Sequence, residues 1–388
     1  MKVIMPSVSS LPLSLSPAPL HRTSGCLPAY PQALRIGAAT LVAGVCLFVA
    51  GCATTPQSGR DLSASPNQSE TLQPAAAVDT AKEDALRARI ALQDRMYRVA
   101  APLLVKNLDL CKNNARKLLG FTAKNKYSYT EEYVDAAERA LGLGDRLQIM
   151  AVLAGSSAAR AGLHPGDVLI AVDEKPMPRG PNAERLAASI LGPMVNAKTS
   201  VKLTLTRGGA PFVPSVPLTL ACSFGIELGN ADNINAYSDG HRVLLTRGML
   251  AFARNDNELA FVIAREMAHS ALGHANRLRM SAALGGIIDN LIRVHPDLTT
   301  MGGTAGVKPF PQDVDAAADT LSLYMLARAG YEVDDAQAFW QRLATQVPAS
   351  ALNGYTAIHP GTAYRMDVMA KIIPDVKTKL ANNGRLSP

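Results

Sequence analysis

The sequence predicts an α+β protein, in which a small β-rich domain and an N-terminal helix precede a mainly helical C-terminal domain. Three patterns support this prediction. Residues 79–119 place apolar side chains at helical spacing, residues 120–220 break into short strand-like runs with turns, and residues 257–274 contain no Gly or Pro before Gly273. A chain of 388 residues is long enough for two compact domains and a leader.

The first 51 residues have the composition of a secretory leader. Lys and Arg occur without acidic residues over 1–35, and an apolar run over 36–50 leads to Gly51 and Cys52. Small residues directly before a Cys resemble the lipobox of bacterial lipoproteins. The resemblance implies that residues 1–51 are a lipoprotein signal peptide and that Cys52 is acylated. It also implies a protein held at the outer membrane and facing the periplasm. An ordinary signal peptide and a retained membrane anchor are the alternatives.

A polar segment separates this leader from the first helix. Residues 52–77 are rich in Ser, Pro, Thr and Gln, so a flexible tether with little to bury is expected. From Asp79 the apolar spacing becomes helical, and a helical segment is predicted over 78–119. The apolar residues on its one face are Leu86, Ile90, Leu92, Met96, Val99 and Leu103.

Of the five cysteines, two remain once the leader and Cys52 are set aside. These are Cys111 and Cys222. In an oxidising periplasm they would form a disulfide that ties the first helical segment to the start of the last domain. Two buried free thiols are the alternative.

Residues 120–220 resemble a PDZ-like domain. A small-residue turn is followed by Pro165-Gly-Asp and then by a strand, and residues 182–191 fit the second helix of such a domain. The predicted strands are 147–153, 168–172 and 201–206. The resemblance implies that an extended peptide can add as a strand to an exposed sheet edge. A PDZ-like fold that serves only as a spacer is the alternative.

The segment after residue 222 carries the candidate catalytic and metal-binding residues. A strand is predicted to end near Gly248, and a helix is predicted from an N-cap at Asp256 or Asn257. On that helix Arg265 and His269 lie one turn apart, with Glu266 between them. Zinc peptidases of the H-E-x-x-H type place two imidazoles at this spacing and use the Glu as a base for the metal-bound water. Here Arg265 stands at the first imidazole's position.

The last domain is predicted over residues 222–388, and the ordered motifs of about residues 222–375 within it resemble the HtpX/BepA-type zinc metallopeptidase family, a group of gluzincins. They are Thr246-Arg-Gly, the helix with Glu266, His269 and His274, Leu326-Ala-Arg-Ala-Gly-Tyr331, His359-Pro360 and Arg365. The resemblance implies a zincin-like, mainly helical fold and metalloendopeptidase activity, with His269 as a zinc ligand and Glu266 as the general base. It places Asp319, His359 and Arg365 in or beside the cleft.

In that family a Glu-Ala-Asp triplet on a later helix supplies the third zinc ligand. Counting back from the Ala-Gly-Tyr element, the triplet falls on Ala317-Ala318-Asp319, so Ala317 replaces the ligand. A shift of register would bring Asp313 or Asp315 to that position instead. Two of the three expected ligands, at Arg265 and Ala317, are therefore predicted to be replaced.

A guanidinium is a poor neighbour for a metal ion. It offers no lone pair and keeps its proton at any usable pH. At 4 Å and an effective dielectric constant of 20 it repels the metal by about 4 kcal/mol for each unit of metal charge. We therefore expect Arg265 to pair with Asp319 or Asp315 across two helices, where the metal would otherwise lie; a solvent-facing Arg265 is the alternative.

These observations favour a pseudopeptidase that binds extended or misfolded envelope polypeptides in protein quality control. The alternative is an active metalloendopeptidase with a non-standard metal site that includes His269. No cofactor is expected for the first function, and zinc is expected for the second. The net charge of +7 is spread along the chain without a basic block, so nucleic acid is not expected as a partner, whereas the membrane is expected as one through the lipid anchor.

Overall fold

A computed structural model describes residues 75–293, 295–298, 307, 309–346 and 363–388. Cys52 and His359 lie outside these residues. The described part of the chain mixes helix and sheet. None of its helices is both long and apolar enough to cross a bilayer.

The helices are α1 Ala75–Lys106, α2 Val134–Leu141, α3 Ser157–Arg160, α4 Ala183–Ala197, α5 Arg247–Phe252, α6 Asp256–Ala271, α7 His274–Arg277, α8 Ser281–Leu291, α9 Gln312–Ala329, α10 Ala336–Gln346 and α11 Ala363–Ala381. The strands are β1 Ala115–Leu118, β2 Phe121–Lys124, β3 Gln148–Val152, β4 Val168–Val172, β5 Lys175–Pro176, β6 Ser200–Arg207, β7 Ala210–Phe212, β8 Ser215–Pro217, β9 Thr219–Cys222, β10 Gly225–Gly229, β11 Ala236–Ser238 and β12 Arg242–Thr246.

The first helix is shorter than predicted and belongs to the C-terminal domain's core. Met96, Val99 and Leu103 of α1 are buried in the same apolar cluster as residues of α6 and α9. The prediction that helix extends to residue 119 is wrong, because α1 ends at Lys106. There Asn107 Nδ2 donates to the backbone oxygens of Leu103 and Met325, and such side-chain bonds compete with helix continuation.

A sheet of seven strands forms the β-rich domain. Its main order is β2-β3-β4-β6-β7, with β5 paired to β4 and β8 paired to β6. β3, β4 and β6 match the three predicted strands to within one residue, and α4 extends the predicted second helix to Ala197. α4 buries Ala187, Leu191 and Val195 in the domain's own apolar cluster, because their spacing of four residues keeps them on one helix face. Among the described residues β2 pairs only with β3, so β2 forms one edge of the sheet.

A two-stranded ribbon connects this domain to the rest of the protein. β1 and β9, which flank the β-rich domain in sequence, pair antiparallel in the register Ala115↔Cys222 to Leu118↔Thr219. A disulfide joins Cys111 to Cys222 at the base of the ribbon, and both cysteines are fully buried. The β-rich domain is therefore an insertion, and the ribbon and the disulfide join the two chain segments that lead into and out of it.

A second sheet, in the order β10-β12-β11, leads into the candidate site. The single strand predicted before Gly248 is two antiparallel strands, β11 and β12, because the chain turns at Gly240 with φ +99°. Asp239 Oδ1 accepts hydrogen bonds from the backbone nitrogens of His241 and Arg242 in this turn. Thr246 then caps α5 by accepting from Met249 N, which directs the chain toward α6.

Candidate functional site

The helix that carries the R-E-x-x-H sequence runs through the core of the C-terminal domain. The cap of α6 is Asn255, one residue before the predicted positions, and its side chain accepts from Glu258 N. Every residue from Glu258 to Ala271 is buried, and Arg265, Glu266 and His269 are each at most 1% exposed. Polar groups this deeply buried require partners nearby.

The facing helix, α9, supplies carboxylates. Asp315 and Asp319 are four residues apart, so they lie one above the other on one face of the helix, and both are fully buried. Ala317 lies between them in sequence and is exposed on another face. The prediction that Ala317 occupies the third ligand's position is therefore wrong. Asp315 is the acidic residue of α9 that faces α6 near His269.

Arg265 pairs with both carboxylates, as the residue chemistry led us to expect. Its Nε donates a 2.7 Å hydrogen bond to Asp319 Oδ1. Its Nη2 lies 2.7 Å from Asp315 Oδ1 in an ion pair that lacks the angular geometry of a hydrogen bond. The guanidinium also lies over the ring of Trp340, with Cζ 4.8 Å from the ring centroid, a cation–π arrangement.

Arg365 completes the ionic cluster from α11. Its Nε donates to Asp319 Oδ2 at 2.6 Å and its Nη2 donates to Asp319 Oδ1 at 2.9 Å, a bidentate pair. Its Cζ lies 5.3 Å from the Trp340 ring centroid. One carboxylate, Asp319, thus links the guanidinium groups of α6 and α11. We call Arg265, Asp315, Asp319, Arg365 and Trp340 the arginine cluster.

The charge on Arg265 is stabilised where it lies. Burial would by itself lower the pKa of this guanidinium, but the negative charges of Asp315, Asp319 and Glu266 outweigh that effect and hold its pKa above the ordinary value. Arg265 therefore remains a cation in the folded protein.

His269 lies beside the arginine cluster and pairs with a second imidazole. Its Nε2 is 3.4 Å from Asp315 Oδ1, and its Nδ1 is 2.9 Å from His274 Nδ1. The ring of Phe310 is stacked on His269 at a centroid distance of 4.5 Å and a tilt of 31°. His274, which had no assigned partner in the sequence, is thus part of the site.

The residues present do not fit the three-ligand zinc site of the H-E-x-x-H type. Asp315 and His269 Nε2 face each other as two metal ligands would. Arg265, however, takes the place of the third ligand and holds the Asp315 oxygen in an ion pair. A positive group at that position repels a metal cation. In the part of the chain that the structure describes, no cluster of three or more His, Cys, Asp or Glu residues could hold a metal ion.

The sequence profile of peptidase family M48 matches residues 223–373, the segment that contains α6, α9 and the arginine cluster. This domain belongs to peptidase family M48. The resemblance to the HtpX/BepA-type metallopeptidases is thereby confirmed. We call the matched residues 223–373 the M48 domain. The inserted β-rich domain lies outside this match.

Curated relatives agree with the family match. The beta-barrel assembly-enhancing protease of Yersinia pestis is 28% identical over 139 residues, covering 32% of this chain and 29% of the relative. Its counterpart in Escherichia coli (strain K12) is 26% identical over 144 residues, covering 33% and 30%. The mitochondrial metalloendopeptidase OMA1 of Arabidopsis thaliana is 26% identical over 153 residues, covering 38% and 31%. The chain spans less than a third of the length of these relatives.

A solved structure aligns with part of this chain. The crystal structure of the HtrA3 PDZ domain bound to a phage-derived ligand has a TM-score of 0.21 and 19% identity, covering 27% of this chain and 88% of that one. A TM-score of this size does not establish a shared fold. The PDZ-like assignment of residues 120–220 therefore stays a prediction.

The structure brings together most of the residues that the motifs singled out. Arg265, Glu266, His269, Asp319 and Arg365 lie within one buried region of the M48 domain. From the sequence, Asp315 was only an alternative for the third ligand or for the partner of Arg265, and Trp340 was not assigned to the site. The spacing of four residues between Asp315 and Asp319 was the signal for a carboxylate pair on one helix face.

Proposed function

We propose that this protein is a polypeptide-binding member of family M48 that does not cleave by the zinc mechanism. The observation that carries the proposal is the ion pair of 2.7 Å between Arg265 Nη2 and Asp315 Oδ1. It places a permanent cation beside the only histidine retained from the H-E-x-x-H motif. A scaffold built to hold extended chains would then bind them without a metal-activated water.

The proposed location is the bacterial envelope, with a lipid anchor at Cys52 and the outer membrane as the supporting surface. The lipobox resemblance and the disulfide Cys111–Cys222, which suits an oxidising compartment, support it. The names of the relatives from Yersinia pestis and Escherichia coli refer to beta-barrel assembly enhancement. We propose a related role in envelope protein quality control, with extended or misfolded polypeptides as clients.

One observation favours the alternative, a metalloendopeptidase with a non-standard site. His269 Nε2 and Asp315 Oδ1 lie 3.4 Å apart, so two donors face each other. If Arg265 moved aside, they would provide part of a metal site with Glu266 as the neighbouring base.

The deciding experiment measures zinc content and cleavage of an unfolded outer-membrane protein by the purified full-length chain. Glu266→Gln removes the candidate base, His269→Ala removes the retained imidazole, and wild type is the reference. We expect less than about 0.1 zinc per chain in the wild-type protein. Any cleavage by wild type should persist in Glu266→Gln. All three proteins should bind the unfolded client. Stoichiometric zinc that disappears in His269→Ala, together with cleavage that disappears in Glu266→Gln, would establish the alternative.

A further inference from the structure

A cavity of about 850 Å³ lies where α1, the β-rich domain and the M48 domain meet, and no residue of the arginine cluster lines it. Leu86 is among the residues that line it from α1, Tyr129 and Tyr133 line it from the β-rich domain, and Asn230 and Ile292 line it from the M48 domain. Ligand pockets of roughly 300–1,000 Å³ are mostly apolar with a few convergent polar groups, and they occur preferentially at domain interfaces. This cavity therefore has the size and the position of a ligand site.

Arg89 of α1 is a half-buried cation in the cavity lining that forms no ion pair within the described residues. Its Nη1 donates to Asn230 Oδ1, and its Nη2 donates to the backbone oxygen of Leu228 at 3.1 Å; both acceptors are neutral. Glu227 attracts the guanidinium without contacting it, and burial still lowers the pKa of Arg89 below its ordinary value. A charge withdrawn from water needs a compensating partner. Arg89 thus marks a position for an anion.

The hydroxyl of Tyr129 supplies a second donor for that anion. Its Oη is buried and has no hydrogen-bond partner in the part of the chain that the structure describes. Tyr129 and Arg89 both line the cavity and interact electrostatically with each other. Burial raises the pKa of this phenol, so the hydroxyl keeps its proton and can donate it. Near the ring, Lys124 and Glu184 carry opposite charges and offset each other.

The carboxylates that line the cavity are already neutralised. Asp232 pairs with Arg247, and Asp289 pairs with Arg242. Arg293 is a further cation of the lining. The charges around the cavity therefore favour a ligand with a negative group.

Much of the remaining lining is apolar. On α1, Ala88 and Leu92 are four residues apart and share a helix face with Arg89, and the small side chain of Ala88 leaves room beside the helix. Ile292 and Leu298 of the M48 domain add aliphatic surface. Leu298 is 51% exposed, so a bound apolar chain would cover a large hydrophobic side chain that water otherwise contacts.

We infer that this cavity binds an amphiphile with one anionic headgroup, a carboxylate or a phosphate, and one acyl chain. The headgroup accepts hydrogen bonds from Arg89 and Tyr129, because a guanidinium matches either oxyanion. The acyl chain lies along Leu92, Ile292 and Leu298, where burial of each CH₂ group is favourable. An acidic peptide fits this lining less well, since its backbone amides would need hydrogen-bond partners that aliphatic side chains cannot supply.

Photolabelling of the full-length chain in phosphatidylcholine vesicles tests the inference. The probe is a palmitate analogue with a diazirine in the middle of its chain, and mass spectrometry locates the crosslinks. We expect them at Leu92, Ile292 or Leu298. Unlabelled palmitate or a lysophosphatidate should displace the probe, and the more effective of the two identifies the headgroup. Hexadecanol, which has the chain without the charge, should be at least about tenfold less effective.

Two pairs of variants on α1 separate the cavity from the fold. Ala88 and Ala91 are both exposed, but only Ala88 lines the cavity, so Ala88→Trp fills it and Ala91→Trp is the matched control. Arg89→Met removes the unpaired cation, whereas Arg87→Met removes an exposed one that pairs with carboxylates outside the cavity lining. We expect Ala88→Trp and Arg89→Met to reduce the crosslinks at least about tenfold and both controls to leave them unchanged.

Three results would overturn the inference, and none of them bears on the proposed polypeptide-binding function. The first is crosslinking at the cavity that Ala88→Trp leaves intact. The second is displacement of the probe by hexadecanol as effectively as by palmitate, because the anionic headgroup would then contribute nothing. The third is displacement by a ten-residue Glu-rich peptide at concentrations where palmitate has no effect, which would make the cavity a peptide site.

Discussion

Arg265 Nε donates a 2.7 Å hydrogen bond to Asp319 Oδ1, and this bond joins the helix of the degenerate zinc motif to the helix that faces it. A salt bridge thus links the two helices. Under the proposed function it takes the place of metal coordination, and the guanidinium occupies a coordination position on which the zinc mechanism depends.

Arg265→His should restore zinc affinity by itself. The new imidazole lies one turn from His269, and loss of the guanidinium releases Asp315, so three donors can converge. Zinc content measured after dialysis should rise from near zero toward one per chain. Ala317→Glu is the matched control. It changes an exposed position of α9, the helix that carries Asp315, and should add no zinc. Zinc binding that requires both substitutions would restore Ala317 as the ligand position.

Asp319→Ala should destabilise the protein strongly. The substitution leaves Arg265 and Arg365 buried without their shared carboxylate, and breaking a buried pair typically costs about 3–5 kcal/mol. Urea unfolding can be followed by the fluorescence of Trp340, the single tryptophan of the chain, which lies against both guanidinium groups. Asp232→Ala breaks an exposed pair with Arg247 and should have a much smaller effect. If Asp319→Ala and Asp232→Ala lowered the free energy of unfolding equally, the arginine cluster would contribute no more to stability than an exposed ion pair does.

Lys124→Met should change how stability depends on pH. Burial lowers the pKa of Lys124 to about 8, whereas an unfolded chain holds this proton to a pKa of about 10.4. Below pH 8 the Lys124 ammonium group is charged in both states, so the folded state carries the full cost of burying that charge. Between about pH 8 and 10.4 Lys124 has lost its proton in the folded protein but keeps it in the unfolded chain.

Wild-type stability should therefore rise with pH in that window, by roughly 3 kcal/mol as an upper order of magnitude, relative to Lys124→Met. The measurement is the difference in free energy of unfolding between the two proteins at pH 7 and at pH 10. The same difference at both values would mean that Lys124 titrates normally. Comparing the two proteins cancels the titration of the buried tyrosines.

Removing the disulfide should weaken the attachment of the insertion. Cys111 and Cys222 are 111 residues apart, and a crosslink closing a loop of that length stabilises a fold by about 2–5 kcal/mol. Cys111→Ser with Cys222→Ser should lower the urea midpoint, and a reductant should do the same to wild type. The reductant should not affect the double variant; an effect there would mean that a different disulfide is being reduced.

Cys52→Ser should release the protein from membranes. The substitution removes the thiol that the lipobox resemblance assigns to acylation, and a lipid anchor acts through the burial of its acyl chains. Fractionation of cells into soluble and membrane pools measures the change, with Cys26→Ser as a control that should stay with the membranes. A Cys52→Ser protein that stays membrane-bound would indicate a retained apolar anchor instead.

Much of the fold followed from local patterns. The strands β3, β4 and β6 and the helix α6 lie within one or two residues of their predicted bounds, because alternation and helical spacing are properties of short segments. The end of α1 was missed, since it depends on the Asn107 bond to Met325, which is distant in sequence. The β11–β12 turn was also missed, although Asp239-Gly240 is a local turn signal.

The sequence by itself determined that Arg265 and His269 share one face of a helix, because a spacing of four residues admits no other arrangement in an α-helix. Only the tertiary structure decided which residue of α9 meets them. Rotation of that helix about its axis is set by packing against α6 and α11, and it turns Asp315 and Asp319 inward and Ala317 outward. Packing likewise decided that α1 belongs to the M48 core, since its apolar face needed a partner that no local pattern specifies.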